Sequence, residues 1–155
     1  MTSGTRLLSY LRELPMRAAW TVDAEMSGAA SRWQLAGKGW QATVVVDPAR
    51  WIGLEFVAQD SLDRRVAYDI DTDLYDLSHE KHRWFADEIE RDIVEFLDNL
   101  WRGLVLRRED GPKLMLVFPL GGAYVRVVQA RFLTSASTYA DLATAQDGGC
   151  YLPVD

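Results

Sequence analysis

Only one cysteine, Cys150, occurs in the 155 residues, so no disulfide can form within the chain. Cysteine usage this sparing predicts a reducing, cytoplasmic setting. Cys150 follows Gly148-Gly149, with no neighbouring base or cation in sequence to stabilise a thiolate, and reads as an incidental thiol. Histidine is almost as scarce. His79 and His82 are the only two, in "SHEKH", which lacks the i, i+4 pair of zinc proteases. His82 falls on an apolar helical stripe, where a packed histidine is expected rather than a ligand. A serine triad would need one of these two, and no G-x-S-x-G elbow is present. "LAGKGW" around Lys38 is neither a phosphate loop nor a dinucleotide fingerprint. These shortages predict no catalytic residues, no metal and no cofactor.

Long apolar runs are missing too. The uncharged stretch 114–125 has 12 residues and contains Pro119, Gly121 and Gly122, whereas a membrane helix needs about 20 apolar residues. The opening "MTSGTRLLSYLRELP" is broken by Arg12 and Glu13 and does not read as a secretion signal.

What the chain does have is the make-up of a globular protein: 48% apolar and 26% charged residues, too apolar to stay disordered. Its length suits one domain, 1–155. The net charge of −6 is unevenly spread. Residues 1–50 hold six basic and four acidic groups, a net of +2; residues 51–101 hold five and fourteen, a net of −9; residues 102–131 hold six and two, a net of +4. The acidic middle repels phosphate backbones and anionic lipid, which argues against nucleic acid and membrane as partners. It would attract a basic protein surface.

Leucines at 7, 8, 11 and 14 mark a first helical face, with Pro15 as its expected stop. Strand-like runs follow at 17–25, 31–36, 40–47, 51–59 and 64–73. The longest helix is predicted over 78–102, with Ser78 as N-cap and Gly103 as the residue after its end. Phe85, Ala86, Ile89, Ile93, Phe96, Leu97 and Leu100 fall on one stripe of it. Further strands are expected at 104–108, 113–119 and 123–133, and a short helix over 134–145. The predicted fold is α+β: an antiparallel β-sheet of seven or eight strands packed against one long amphipathic helix, with short terminal helices. The runs 31–36 and 123–133 alternate poorly, which leaves the strand order open.

The stretch "DIDTDLYDLSHE" (69–80) puts Asp69, Asp71, Asp73 and Glu80 at positions 1, 3, 5 and 12 of a calcium-binding EF-hand loop. Position 6 is Leu74, where the sharp turn calls for glycine. The preceding "RRVAYDI" alternates like a strand, with Val66, Tyr68, Ile70 and Leu74 on one face and Asp69, Asp71 and Asp73 on the other. Carboxylates about 6.5–7 Å apart along a strand cannot close on an ion that wants oxygens at about 2.3–2.6 Å. An acidic strand is therefore expected, either an edge that resists aggregation or a binding face.

The polar side of the long helix carries Glu80, Asp87, Glu88, Arg91, Asp92, Glu95 and Asp98, with Trp84 in their midst. A neighbouring loop or a stacked Arg91 would hide that ring. Left exposed, it has the composition of an interface anchor inside a polar rim. The other tryptophans, 20, 33, 40, 51 and 101, mostly lie in strand-like runs and are expected in the core or on a sheet face.

The expected function is that of an acidic protein-binding domain, in concrete form an immunity-type inhibitor that neutralises a basic toxin or effector. Its expected partner-binding residues are Asp69, Asp71, Asp73, Asp76, Trp84, Asp87, Glu88 and Arg91. The alternatives are a small-ligand carrier or enzyme with an aromatic-lined pocket, and a secretion chaperone or adaptor.

Overall fold

The computed structural model describes residues 3–73 and 75–154; Leu74, expected on the apolar face of the acidic strand, lies outside them. In chain order the elements are α1 (Thr5–Arg17), β1 (Thr21–Ser27), β2 (Ala30–Ala36), β3 (Trp40–Asp47), β4 (Trp51–Gln59), β5 (Arg65–Asp71), a 3-10 turn (Glu80–His82) and α2 (Arg83–Trp101). Then come β6 (Leu106–Asp110), β7 (Lys113–Leu120), β8 (Ala123–Ala130), β9 (Leu133–Tyr139), α3 (Leu142–Gln146) and β10 (Leu152–Pro153). The α+β class holds, but the strands form two antiparallel sheets of five rather than one. Their orders are β1-β2-β3-β4-β5 and β10-β6-β7-β8-β9. Among the described residues no helix is long and apolar enough to cross a membrane.

The chain divides into two compact units. The first comprises Met1–Gly37, Gln41–Phe56 and Asp69–Val94; the second comprises Lys38–Trp40, Val57–Tyr68 and Glu95–Asp155.

In the first unit the sheet residues alternate inward and outward. Trp33 and Leu35 of β2, Ala42, Val44 and Val46 of β3, and Ile52, Leu54 and Phe56 of β4 are all buried. β2 alternates cleanly, contrary to the sequence expectation, because Ser31 is an inward position as well. Its hydroxyl accepts a hydrogen bond from the Trp33 indole N–H at 3.0 Å, which makes a buried serine tolerable. α1 buries Leu7, Leu11 and Leu14 and runs through Pro15 to Arg17 instead of stopping. Proline loses only one hydrogen bond there, in the last turn of the helix.

α1 has no acidic residue in its first turn, and its N-cap is Gly4, which has no side chain to cap with. The missing acceptor comes from α2. Glu90 is buried, and its two carboxylate oxygens accept from the backbone N–H of Gly4 (3.1 Å) and of Leu7 (2.7 Å). A carboxylate is the favoured group at the positive end of a helix, where it satisfies orphan donors. Gly4 has φ +90°, and a Cβ there would stand 2.6 Å from Val46, so glycine is required on both counts.

In the second unit β7 is buried without interruption from Leu114 to Phe118, as a central strand covered on both faces must be. Phe118 packs edge-on to Tyr68 (4.8 Å) and Phe96 (5.1 Å). α2 closes on Gly103, at φ +77°; the Gly103 N–H bonds Leu100 O and the Leu104 N–H bonds Asn99 O, the paired bonds of a Schellman end. Residues 134–145, expected as helix, instead hold most of β9 and then the short α3. "LTSAST" is exposed at every position, and its β-branched and small residues pair with β8 along the whole strand.

The turn before β5 is organised by Asp60, buried beneath the chain. Its carboxylate accepts from the N–H of Leu62 (2.9 Å) and Arg64 (2.8 Å) and from the Arg64 guanidinium. Burial pushes this carboxyl up, but the bonds from Arg64 and Leu62 outweigh it and hold the group below the usual carboxylate range.

Glu90→Ala leaves two helix N–H groups without their acceptor and is expected to cost about 1–3 kcal/mol in a urea titration. Glu90→Gln, which keeps one acceptor oxygen, should lose less; an unchanged midpoint for Glu90→Ala would remove the cap from the account of stability. The Asp60 shift fixes a second outcome. A depressed carboxyl contributes stability above its unfolded value that is lost as pH falls through the folded one. Acid melts should therefore weaken the wild type more than Asp60→Asn, and parallel pH profiles for the two would contradict this.

Candidate protein-binding face

The eight residues expected to bind a partner all belong to the first unit. β5 ends at Asp71, so only Asp69 and Asp71 stand on the strand, with Ile70 buried between them. Asp73 does not share that strand face as expected. It sits at φ +52°, and its N–H donates to Asp71 Oδ1 at 2.7 Å. The cause is Thr72, fully buried beside β4. Its N–H donates to Ile52 O (3.0 Å), and its hydroxyl oxygen accepts from the Ile52 N–H (3.1 Å). With Thr72 pinned inward, the chain turns away immediately after it. Among the described residues no group of three or more His, Cys, Asp or Glu is placed to hold a metal.

Asp69 is exposed, and its carboxyl is raised above the usual carboxylate range. Partial burial raises it first, then repulsion from Glu55 of β4 and from Asp71. Asp76 is shifted the opposite way, held low by hydrogen bonds from the Ser78 hydroxyl (2.6 Å) and N–H (3.0 Å). Those bonds also correct the expected helix start. Ser78 is engaged with Asp76 rather than capping α2, which begins at Arg83 after the 3-10 turn. His79 Nε2 lies 3.7 Å from Asp76 Oδ2, and His82 Nδ1 lies 2.9 Å from Asp76 O. His82 is half-buried in that turn rather than packed in the core.

On α2, Trp84, Asp87, Glu88 and Arg91 are all exposed. Their spacing of i, i+3, i+4 and i+7 puts them on one helical face. Trp84 is 63% exposed, so neither a loop nor a stacked arginine hides it. Its ring lies edge-on to Phe85 at 5.8 Å, Phe85 lies 4.6 Å from Tyr75, and Tyr75 lies 4.9 Å from His82. Tyr75, itself 46% exposed, thus joins the 73–79 loop to the start of α2.

Sequence reasoning missed Tyr75 and Glu55. Tyr75 lies between Asp73 and Asp76, outside any periodic run; Glu55 is the one acid among the apolar residues of β4 and points outward. The tryptophans expected inside divide: Trp33 and Trp40 are buried, Trp20 and Trp51 half-buried, and Trp101 is 44% exposed at the end of α2. The charge follows the units. The first holds 14 acidic and 8 basic residues, the second 9 of each, so the whole excess of −6 belongs to the unit that carries this face.

The raised carboxyl of Asp69 gives a signed prediction. A carboxyl raised on folding contributes stability below its unfolded value and forfeits it as pH rises through the folded one. Asp69→Asn should therefore be as stable as wild type or slightly more so at about pH 7, within about 0.5 kcal/mol, with the gap closing in acid. A clear loss of melting temperature at neutral pH would show that the Asp69 charge supports the fold. No protein-family model, curated protein or solved structure matches this chain.

Proposed function

We propose that the chain is a protein-binding domain whose acidic face takes a basic protein, in the manner of an immunity-type inhibitor that neutralises a toxin or effector. The observation that carries this reading is Trp84, a large ring left 63% exposed beside Asp87, Glu88 and Arg91 and linked through Phe85 to Tyr75. Exposing so much indole surface leaves hydrophobic free energy unrealised, which a partner can recover; tryptophan inside a polar rim is the usual composition of a binding hot spot. Asp69, Asp71, Asp73 and Asp76 add the long-range field that attracts a cationic surface and repels an anionic one. Inhibition would follow from occupation: carboxylates that pair with the lysines and arginines of a basic effector deny them to its own substrate.

A photoreactive side chain at position 84, irradiated in native lysate, should capture a basic protein that the same group at position 6 does not. In surface-plasmon kinetics against that protein, neutralising Asp69, Asp71, Asp73 and Asp76 together should slow association and flatten its salt dependence. Trp84→Ala should act on dissociation and cost at least about 2 kcal/mol of affinity. Both variants should keep the circular dichroism of the wild type. Unchanged kinetics in both would remove this face from the function, and a captured protein that is toxic alone but silent when co-expressed with the chain would identify the inhibitor.

A further inference from the structure

The second unit carries a cleft of about 470 Å³ at one end of its sheet, lined by Arg64, Arg65, Pro112, Leu114, Gln129 and Arg131. The strand register builds it. Lys113 pairs with Asp110 on one side and Ala130 on the other, so the β6–β7 turn (Gly111, Pro112) and the β8–β9 turn (Arg131, Phe132) stand next to each other. Leu114 and Gln129 pair across β7 and β8 just inside those turns. Gln129 Nε2 donates to Arg131 O at 3.4 Å.

The three guanidinium groups differ in how they are held. Arg64 is built in: it bonds the buried Asp60 carboxylate and Gly111 O, and its Nη2 lies 3.8 Å from the exposed Glu109. Among the described residues Arg65 has a neutral partner, the Gln59 amide, whose oxygen accepts from Nε (2.9 Å) and Nη2 (3.2 Å) in the orientation that satisfies both groups. Arg131, at φ +49° in its turn, is exposed and has no carboxylate partner among the described residues. Three cations therefore border a cleft whose lining holds no carboxylate, in a protein with an excess of six acids. A bound anion would find partners in the guanidinium groups that have no carboxylate of their own, and guanidinium groups suit oxyanions because they donate in a planar fork.

We propose that this cleft binds a small organic phosphate. The charge argues for phosphate over a single carboxylate: a phosphate monoester carries about −1.5 to −2 at pH 7, which matches the two arginines that lack an acidic partner. The exposed ring of Pro112 offers apolar surface to the organic part, with the buried Leu114 beneath it in the lining. The volume falls within the usual range for small-molecule sites, about 300–1,000 Å³. The cleft shares no residue with the acidic face, and either assignment can fail without the other.

Calorimetric titration of the intact chain at low salt with phenyl phosphate, inorganic phosphate and phenol tests this directly. Phenyl phosphate should bind saturably with sub-millimolar affinity, inorganic phosphate at least about fivefold more weakly, and phenol not at all. Arg65→Gln and Arg131→Asn, the latter chosen because asparagine accepts a positive φ, should each weaken phenyl phosphate at least about fivefold. Arg6→Gln, in the first unit, should change nothing. Absence of saturation, or equal binding in all three variants, would overturn the site. Equal affinity for phenyl phosphate and inorganic phosphate would overturn the organic part of the assignment.

Discussion

The buried carboxylate of Glu90 is the contact on which the first unit depends. α1 begins at a glycine with neither a capping side chain nor an acidic first turn, so the orphan N–H groups of the buried Gly4 and Leu7 would otherwise lack an acceptor. Glu90 supplies both oxygens from α2, and Gly4 closes against Val46 of the sheet. One carboxyl group thus joins two helices at a point where the sheet also makes contact. Because Glu90 points inward with Ala86 and Ile93, the turns of α2 between them direct Trp84, Asp87, Glu88 and Arg91 to solvent. The proposed binding face is the reverse side of the cap.

The two units divide their charge chemistry. The first concentrates carboxylates around exposed aromatic rings and is proposed to meet a large cationic partner. The second is balanced overall, yet it gathers arginines at one end of its sheet. Asp60 and Arg64 show how the second unit keeps such groups: the carboxylate is buried but fully hydrogen-bonded, so it holds a guanidinium in place at the cleft rim.

The loop 72–79 shows how a tertiary contact sets a surface. Thr72 keeps one backbone bond of the next β4–β5 rung, from its N–H to Ile52 O, and takes the other, from the Ile52 N–H, on its hydroxyl; Asp73 then turns to a positive φ. Asp71 and Asp76 then accept from backbone N–H groups two residues on, the habit of aspartate in turns. The acids serve local geometry as well as the field outside.

The sequence alone determined the α+β class, β3 and β4 to the residue, the apolar stripe of α2 and its glycine end, because these rest on side-chain periodicity and on backbone preferences local to a few residues. It also put Trp84 on the polar side of α2, since a helical wheel needs no knowledge of neighbours. Tertiary structure alone decided the rest. A count of strands does not say that they part into two sheets, because pairing joins residues far apart in the chain. Glu90 broke the apolar stripe in sequence, spaced with Ala86 and Ile93, and only the distant N-terminus of α1 explains it. Residues 134–139 lie in a strand because β8 pairs with them, against a pattern too polar to read. The arginine cleft was invisible for the same reason: strand register sets the Arg131 turn beside Gly111–Pro112, and the bond from Arg64 to Gly111 O, 47 residues away, brings Arg64 there.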